Sequence, residues 1–349
     1  MHDGRQAVQV FYMISGFYMA MVLSSRYKIP RDFYVSRFMR IFPPYWIAAV
    51  TTVVLSMTTG LLFQKWMLLG PYVESPLAHN GLAGLILTAA SNFTLFGQDC
   101  VLFLSHDSGQ QLHLTTNFRN DASPLWRYLL VPQCWSVGIE LAFYASAPFL
   151  NRLSSRWLVL IALGSFTARL ITYWNMGGPR DPWTYRFFPF ELGLFLLGML
   201  GYRLYARTAD RHPSQRFRCV SRLAYSIGAV LLIFLLHMHI RLVRWVGDIV
   251  GVEAALFLSY LSWVVGIPAL FFIFGNQRAD RSIGELSYPI YLIHMVVIGV
   301  VGIFLTYLGI MHRVGVVSAL ISVIASAVFY RLLIAPLDRK RHNLTQVPA

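Results

Sequence analysis

The chain has 349 residues, of which 56% are hydrophobic and only 13% are charged. A soluble domain carries about 25% charged residues, so this composition argues against a cytoplasmic enzyme, a disordered protein and a fibrous protein. The apolar residues also cluster in runs of about 20 residues, the length that crosses a bilayer as a helix. We therefore expect an all-α protein, a polytopic transmembrane helix bundle.

The net charge of +14 has two explanations. A basic protein can bind nucleic acid, but Lys and Arg also accumulate in the cytoplasmic loops of membrane proteins. The positions of these residues favour the second explanation, so no nucleic-acid partner is expected. Cys100, Cys134 and Cys219 show no CxxC or CxxxH spacing, so neither a metal site nor a disulfide scaffold is predicted.

Ten apolar segments without two-residue alternation are predicted to be helices, and about nine to ten of them to be spans. They are residues 8–24, 44–63, 81–97, 134–150, 157–174, 188–203, 223–241, 252–275, 286–309 and 314–335. The segment 81–97 is the weakest because polar residues interrupt it. We interpret it as re-entrant or as lying on the outer face of the membrane.

The distribution of Lys and Arg predicts the orientation. If 81–97 does not cross, the inner loops hold 18 of these residues and the outer loops hold 8. The Arg-rich loops 26–40 and 203–222 are then cytoplasmic, and about 64–134 forms an extracytoplasmic segment. Nine spans result, with the N-terminus outside and the C-terminus inside.

Two motifs lie in the first part of the chain. The run from Val10 to Phe17 contains a small Ser-Gly pair, and the plain interpretation is helix packing, since small residues let helix backbones approach closely. The run from Phe33 to Trp46 places Arg37 and Arg40 on one helical face. This pair is typical either of a topology anchor or of bidentate binding to a phosphorylated ligand. The two prolines at 43 and 44 predict the start of the next helix.

A third motif runs from Cys134 to Tyr144 and contains Ser136 and Glu140 on one face, about 6 Å apart along the helix. A carboxylate inside a span is costly, and it usually marks a pathway, a relay or a paired site. The alternative is a purely structural ion pair, for instance with Arg169.

The fourth motif, from Leu286 to His294, puts Tyr291 and His294 on one face of a late span. A lone histidine on an apolar helix is most often a hydrogen-bonded core residue. The other interpretation is a general base, because imidazole titrates near neutral pH.

These four motifs, in this order, resemble the acyltransferase-three family of integral membrane O-acyltransferases. The family pattern has a Phe-rich helix ending in Ser-Gly-Phe, an Arg-x-x-Arg-Ile-x-Pro-x-Tyr-Trp loop, a Trp-Ser-x-x-x-Glu-x-x-Phe-Tyr helix start and a late Ser-Tyr-x-x-Tyr-Leu-x-His segment. The matching segments here are Phe11 to Phe17, Arg37 to Trp46, Trp135 to Tyr144 and Ser287 to His294. The resemblance covers about 8–335.

The resemblance implies that residues 1–349 form a single integral membrane acyltransferase domain. It would transfer an acyl group, expected to be acetyl, from cytoplasmic acyl-CoA to a hydroxyl of an extracytoplasmic or lipid-linked glycan. Acyl-CoA is then a co-substrate, no bound cofactor is expected, and the lipid bilayer and a glycan or glycolipid acceptor are the partners. The implied location is the bacterial inner (cell) membrane, with multiple spans.

Roles for individual residues follow from that resemblance. Arg37 and Arg40 would bind the donor's phosphates, and the catalytic candidates are Glu140, Ser136, His294 and His2. A histidine would take the acceptor's proton, and Glu140 would orient it or stabilise its protonated form.

The start of the chain departs from the family pattern. The family begins with an earlier helix that carries the histidine taken to be catalytic, whereas this chain starts Met1-His2-Asp3-Gly4-Arg5. We expect that helix to be missing, with His2 in the connection that would follow it.

Two other functional classes stay open. A transporter or flippase would use Glu140 and Glu191 as pathway residues, and a membrane scaffold would have no activity. The sequence has neither an inverted repeat nor a matching pair of broken helices, which counts against the transporter.

Overall fold

The protein is described here by a computed structural model, which covers residues 4–27, 29–74, 81–107, 111–178, 180–209, 252–275 and 278–344. Helices dominate these residues, and the strands form a single short hairpin. The predicted all-α class is therefore confirmed. The predicted span 223–241 and the Arg-rich stretch 210–222 lie outside the described residues.

The elements follow one another along the chain. They are α1 (Gly4–Ser25), α2 (Pro30–Phe63), α3 (Gly70–Glu74), α4 (Leu82–Thr94), α5 (Gln98–Val101), β1 (Leu104–His106), β2 (Leu112–Leu114), α6 (Trp135–Arg152), α7 (Ser155–Asn175), α8 (Phe188–Ala209), α9 (Val252–Phe274), α10 (Arg278–Tyr307), α11 (Val314–Phe329) and α12 (Ala335–Leu344). A π-helical turn, Tyr330–Ile334, joins α11 to α12, and 3₁₀ turns occupy Met67–Leu69, Leu125–Tyr128, Pro132–Cys134 and Met311–Arg313.

Six helical segments among the described residues are long and apolar enough to cross a membrane. They are Gly4–Ser25, Pro30–Phe63, Ser155–Asn175, Phe257–Phe274, Gly284–Tyr307 and Met311–Arg339. The helices α6 and α8 have 18 and 22 residues, but polar side chains such as Glu140 and Glu191 lower their hydropathy. Their crossing stays a prediction. These helices make the chain an integral membrane protein.

The helix α2 corrects the expectation of a loop over 26–40 and a helix start at the two prolines. It runs unbroken for 34 residues, with Pro30 in its first turn and Pro43 and Pro44 inside it. The internal prolines remove the N–H groups that would bond two preceding carbonyls. Such a loss is tolerated where neighbouring groups bind the freed backbone. At about 51 Å, α2 exceeds the roughly 30 Å hydrocarbon core, so its Arg-rich first third can still extend beyond the membrane.

The segment 81–97 contains only the 13-residue helix α4. A helix of this length extends about 20 Å, which is short of the hydrocarbon core. Its length agrees with the interpretation that this segment does not cross. Side chains of Val101, Leu125 and Leu129 form a small core beside it, against which Leu87 and Leu104 pack.

The chain divides into two compact units. The first comprises residues 1–28, 143–174 and 188–281, and so contains α1, α7, α8, α9 and α6 from Phe143 onwards. The second comprises residues 29–142, 175–187 and 282–349, and so contains α2 to α5, the hairpin, α6 up to Ala142 and most of the chain's C-terminal helices. The single domain inferred from the sequence stays a prediction.

The first unit is built on close contact between α1 and α8. A Cβ at Gly16 would collide with the carbonyl group of Phe195, and one at Gly198 would collide with that of Met13. Both positions therefore require glycine so that the two backbones can touch. The Tyr12 ring stacks on Phe195 at 4.7 Å beside this contact. The Ser-Gly pair of the first motif thus has a packing role.

A buried polar network crosses the same unit. Nε2 of Gln9 donates to both carboxylate oxygens of Glu191, each at 3.1 Å, and the Tyr260 hydroxyl donates to Oε1 of Gln9. Nη1 of Arg169 lies 3.6 Å from Glu191 Oε1. A buried carboxylate is costly unless it is paired and hydrogen-bonded, and Glu191 has both kinds of partner.

Candidate functional site

The second unit contains most of the residues that the sequence singles out. Arg37 and Arg40 lie on α2, Ser136 and Glu140 on α6, and His294 on α10. The remaining candidate, His2, lies outside the described residues.

Gln133 ties the beginning of α6 to α10. It lies in the 3₁₀ turn just before α6, and its Nε2 donates to the carbonyl oxygens of Tyr291 and Leu292 at 3.3 and 2.8 Å. Because those two acceptors are carbonyls, the amide orientation of Gln133 is fixed by chemistry. Its Oε1 is buried and has no hydrogen-bond partner among the described residues.

Ser136 and Tyr291 meet beside Gln133. The two hydroxyl oxygens are 2.6 Å apart, and the Tyr291 hydroxyl also bonds to the Gln133 carbonyl oxygen. A carbonyl only accepts, so the single Tyr291 proton is donated to Gln133. Ser136 must then be the donor to Tyr291. The direction of both hydrogen bonds is therefore determined.

Glu140 lies one helical turn beyond Ser136, and only 6% of it is exposed. It lies within electrostatic range of the Tyr288 side chain on α10. The Tyr288 hydroxyl in turn donates to the Ile41 carbonyl on α2 at 3.0 Å, next to the internal prolines. Glu140, α10 and the middle of α2 therefore belong to one polar cluster within the second unit.

His294 is held in a defined tautomer. Its Nδ1 lies 2.7 Å from the Tyr291 carbonyl oxygen and 3.2 Å from that of Ile290. Because carbonyls accept, Nδ1 carries the proton of the neutral ring, and Nε2 carries the lone pair. The His294 and Tyr291 rings are 5.9 Å apart. Nε2 is therefore the atom that can take up a proton.

The two arginines of α2 differ in exposure although they lie three residues apart. Arg37 is 9% exposed, with its guanidinium 5.8 Å from the Phe33 ring centroid, whereas Arg40 is exposed. They therefore lie at the boundary of the buried face of α2. The Arg37 guanidinium is packed among other residues, and the Arg40 guanidinium is exposed to solvent or to a ligand.

Tyr45 and Trp46 hydrogen-bond to the C-terminal end of α4. The Tyr45 hydroxyl donates to the Asn92 carbonyl at 2.7 Å, and the Trp46 indole donates to the Phe93 carbonyl at 2.8 Å. These carbonyls belong to the last turn of α4, where a helix lacks internal donors. The Pro-Pro-Tyr-Trp sequence therefore caps α4 with side chains of α2.

Asp99 is a buried carboxylate that the sequence reasoning missed. A Cβ placed at Gly138 would lie 3.4 Å from its Oδ1, so the carboxylate packs against the second turn of α6. Burial raises the pKa of Asp99 from 3.8 to about 6, although backbone N–H groups of Asp99 and Cys100 oppose this shift. No periodicity marks this residue in the sequence, because its burial depends on the contact with α6.

The described residues contain no group of three or more His, Cys, Asp or Glu side chains that could hold a metal ion. What the cluster offers is a directed pair of hydroxyls, a buried carboxylate and an imidazole whose lone pair is on Nε2. These groups can bind and move protons.

The fold and this cluster define a polytopic helical membrane protein with a polar site in one unit. A model of the acyltransferase-3 family, described as an acyltransferase domain, matches residues 3–331. The match covers well over half of the chain, and the chain belongs to this family. Comparison with curated proteins and with solved structures gives no further match.

Proposed function

We propose that this protein transfers an acyl group, of the acetyl class, from acyl-CoA to a hydroxyl of an extracytoplasmic or lipid-linked glycan. The observation that carries this proposal is the polar cluster of Ser136, Tyr291, Glu140 and His294 in a chain of an acyltransferase family. The acyl donor and the glycan acceptor are the parts of the proposal that need direct assay.

The reaction breaks one bond to the acyl carbon and forms another. The acceptor oxygen attacks the thioester carbonyl, its proton goes to a base, and CoA leaves as the thiolate. The protonated base then gives its proton to the thiolate, so the base is regenerated and the products are an oxygen ester and free CoA thiol. A base near neutral pKa serves best, because it is both unprotonated and basic at working pH.

His294 is the described residue best suited to be that base. Its Nδ1 proton is engaged with backbone carbonyls, so its Nε2 can receive the acceptor's proton. Glu140 would stabilise the protonated ring, as a carboxylate does in other acyl-transfer sites. His2 is the second candidate for the base.

Arg37 and Arg40 would bind the phosphates of acyl-CoA. A guanidinium matches the geometry of a phosphate and donates two parallel hydrogen bonds, which an ammonium does not. The exposed Arg40 would meet the donor first. The neighbouring buried Arg37 lies against Phe33, so its charge is partly desolvated and acts more strongly.

A cytoplasmic donor and an extracytoplasmic acceptor require a protein that spans the membrane around the cytoplasm. The apolar helices meet that requirement, and the excess of Lys and Arg in the predicted inner loops favours the same orientation. We therefore propose the bacterial inner (cell) membrane as the location.

Radiolabelled acetyl-CoA tests the proposal directly. Membranes with the wild-type chain should transfer label to a glycan or lipid-linked fraction, and hydroxylamine should release it, as expected for an oxygen ester. Membranes with Glu140→Gln at equal protein content serve as the control and should transfer none. An absence of thioester loss and of labelled ester with the wild type would contradict the proposal and favour a transporter or a scaffold. A strain that lacks the protein should also have fewer glycan esters than its parent.

A further inference from the structure

The connection between α7 and α8 carries a buried arginine, Arg186, that is packed on Trp135. The Arg186 guanidinium carbon lies 4.1 Å from the Trp135 ring centroid, and Arg186 is 9% exposed. Its Nε and Nη2 donate to the two carboxylate oxygens of Asp181 at 2.6 and 3.2 Å. The guanidinium plane is therefore fixed by a carboxylate at its edge and by an indole at its face.

Further aromatic rings enclose the same guanidinium. The Tyr185 and Phe118 centroids lie 5.0 and 5.3 Å from the Arg186 guanidinium carbon. Tyr185 also meets the Trp135 ring edge-on, with centroids 5.2 Å apart. An arginine can stack on a ring and bind a carboxylate bidentately at the same time, which lysine cannot do. A desolvated cation on an indole is also attracted more strongly than an exposed one.

Trp135 connects the Arg186 contacts to the polar cluster, because it is the first residue of α6. The next residue is Ser136, whose hydroxyl donates to Tyr291 over 2.6 Å. A small rotation of the Trp135 backbone would displace that hydroxyl. Arg186 also lies within electrostatic range of the Tyr291 side chain. The packing of Arg186 on Trp135 therefore connects Arg186 to the Ser136–Tyr291 contact, and its proximity to Tyr291 agrees with this.

We infer that Arg186 is a positioning residue for acyl transfer, which holds Trp135 so that the Ser136 hydroxyl meets Tyr291. Asp181 fixes the orientation of Arg186 and so contributes to the same positioning. The inference rests on the proposed function, since the effect of positioning is measured as a rate of acyl transfer. A displacement of about 1 Å at a reacting group can lower a rate about 100-fold.

The test compares Arg186→Lys with Arg119→Lys in purified protein. Arg119 is a matched control, since its Nη2 lies 3.4 Å from the same Asp181 and its guanidinium carbon 5.4 Å from the same Phe118 ring, while its side chain is 65% exposed. Arg186→Lys should lower kcat about 10-fold to 100-fold with the KM for acyl-CoA unchanged. Arg119→Lys should match the wild type.

A double-mutant cycle separates positioning from general stability. In a Ser136→Ala background, Arg186→Lys should cost little more, because the contact that it maintains is already gone. Equal kinetics of the two arginine variants, or fully additive losses in the cycle, would overturn the inference. If Arg186→Lys does not accumulate, Asp181→Asn, which leaves the arginine in place, should still lower kcat with an unchanged KM.

A second measurement does not depend on activity. Hydrogen exchange of the backbone in residues 132–140 should be faster in Arg186→Lys than in the wild type and unchanged in Arg119→Lys. If the wild type transfers no acyl group, the proposed function fails. Faster exchange in Arg186→Lys would still support the conclusion that Arg186 stabilises the start of α6. Unchanged exchange in Arg186→Lys would overturn the inference whatever the activity.

Discussion

Ser136 donates a hydrogen bond to Tyr291 across 2.6 Å, and so joins the first turn of α6 to the middle of α10. The two residues are 155 positions apart in the chain. Since the Tyr291 hydroxyl donates its own hydrogen bond to the Gln133 carbonyl, one phenol serves as acceptor for Ser136 and as donor for a backbone oxygen. This phenol is therefore the centre of the polar cluster.

Tyr291→Phe should be more damaging than Ser136→Ala. The first change removes both hydrogen bonds and leaves the partly buried Gln133 carbonyl without its donor. The second removes a single bond. We expect kcat/KM to fall about tenfold or more for Tyr291→Phe, because a misplaced group near the reacting atoms lowers the rate.

Tyr307→Phe on the same helix is the control, because Tyr307 is 75% exposed. It should leave both activity and melting temperature at their wild-type values. Equal activity of Tyr291→Phe and Tyr307→Phe would show that the hydroxyl pair has no part in the reaction.

Replacing Arg37 or Arg40 with Ala should raise the apparent KM for acyl-CoA about tenfold or more. Loss of a charge-assisted hydrogen bond costs about 1.5–3 kcal/mol. Lys should rescue poorly, because it cannot bind a phosphate as a fork. Arg37→Ala should also lower the melting temperature of the protein, because Arg37 is buried. Arg40→Ala should not, because Arg40 is exposed.

Arg31→Ala provides the comparison for the arginine variants, since Arg31 is exposed in the first turn of α2. Its donor kinetics should equal those of the wild type. If Arg37→Ala and Arg40→Ala also keep wild-type donor kinetics and insert normally, both arginines are topology anchors only.

Much of the fold could be predicted because it depends on local properties. Long apolar runs predicted the helix bundle, and four short motifs predicted the family that the comparison confirms. The unbroken helix through Pro43 and Pro44 could not be predicted in this way. A sequence-based prediction considers only the hydrogen bonds that a proline removes within its own helix. Here residues next to the prolines also bond to other elements, as Tyr45 does to Asn92.

The parts of the candidate site that were missed depend on contacts between distant segments. Gln133 bonds to a carbonyl 159 residues further along the chain, and Arg186 stacks on Trp135 from a separate connection. Neither residue shows a spacing or periodicity that indicates its partner. By contrast, Ser136 and Glu140 lie on one helix, so their common face followed from the sequence alone.

The predicted orientation can be tested with reporter fusions. Fusions at about residue 115 and about residue 180 should report the outside, and a fusion at about residue 212 should report the cytoplasm. This result is expected because α4, with 13 residues, is too short to cross. A cytoplasmic signal at about residue 115 would instead mean that the segment 81–97 crosses.

Asp99 should make the protein less stable as the pH rises. Burial raises the pKa of Asp99 to about 6, so the folded protein binds a proton more tightly than the unfolded chain does. Stability is therefore lost between about pH 4 and pH 6, by about 3 kcal/mol, and stays reduced above that range. Asp99→Asn should raise the melting temperature in detergent at pH 8 but not at pH 4.

The exposed Asp107 supplies the control for that prediction. Asp107→Asn should leave the difference between the melting temperatures at pH 4 and pH 8 unchanged. A pH dependence of Asp99→Asn identical to that of the wild type would show that Asp99 is not a buried charge.

Glu140→Gln should abolish turnover while the protein still accumulates in the membrane. The amide keeps the volume of the side chain but removes the charge that would stabilise a protonated histidine. General acid–base catalysis contributes about 10²–10⁴-fold, and a loss in this range is expected. Initial rates at equal amounts of purified protein provide the measurement.

Glu285→Gln is the matched control, because it makes the same change at an exposed position on α10. It should retain full activity. If Glu140 were a structural partner only, Glu140→Gln would reduce the amount of folded protein, and a charge-reversed partner would restore it. Wild-type turnover by Glu140→Gln would remove Glu140 from the catalytic cluster, since no step would then need its charge.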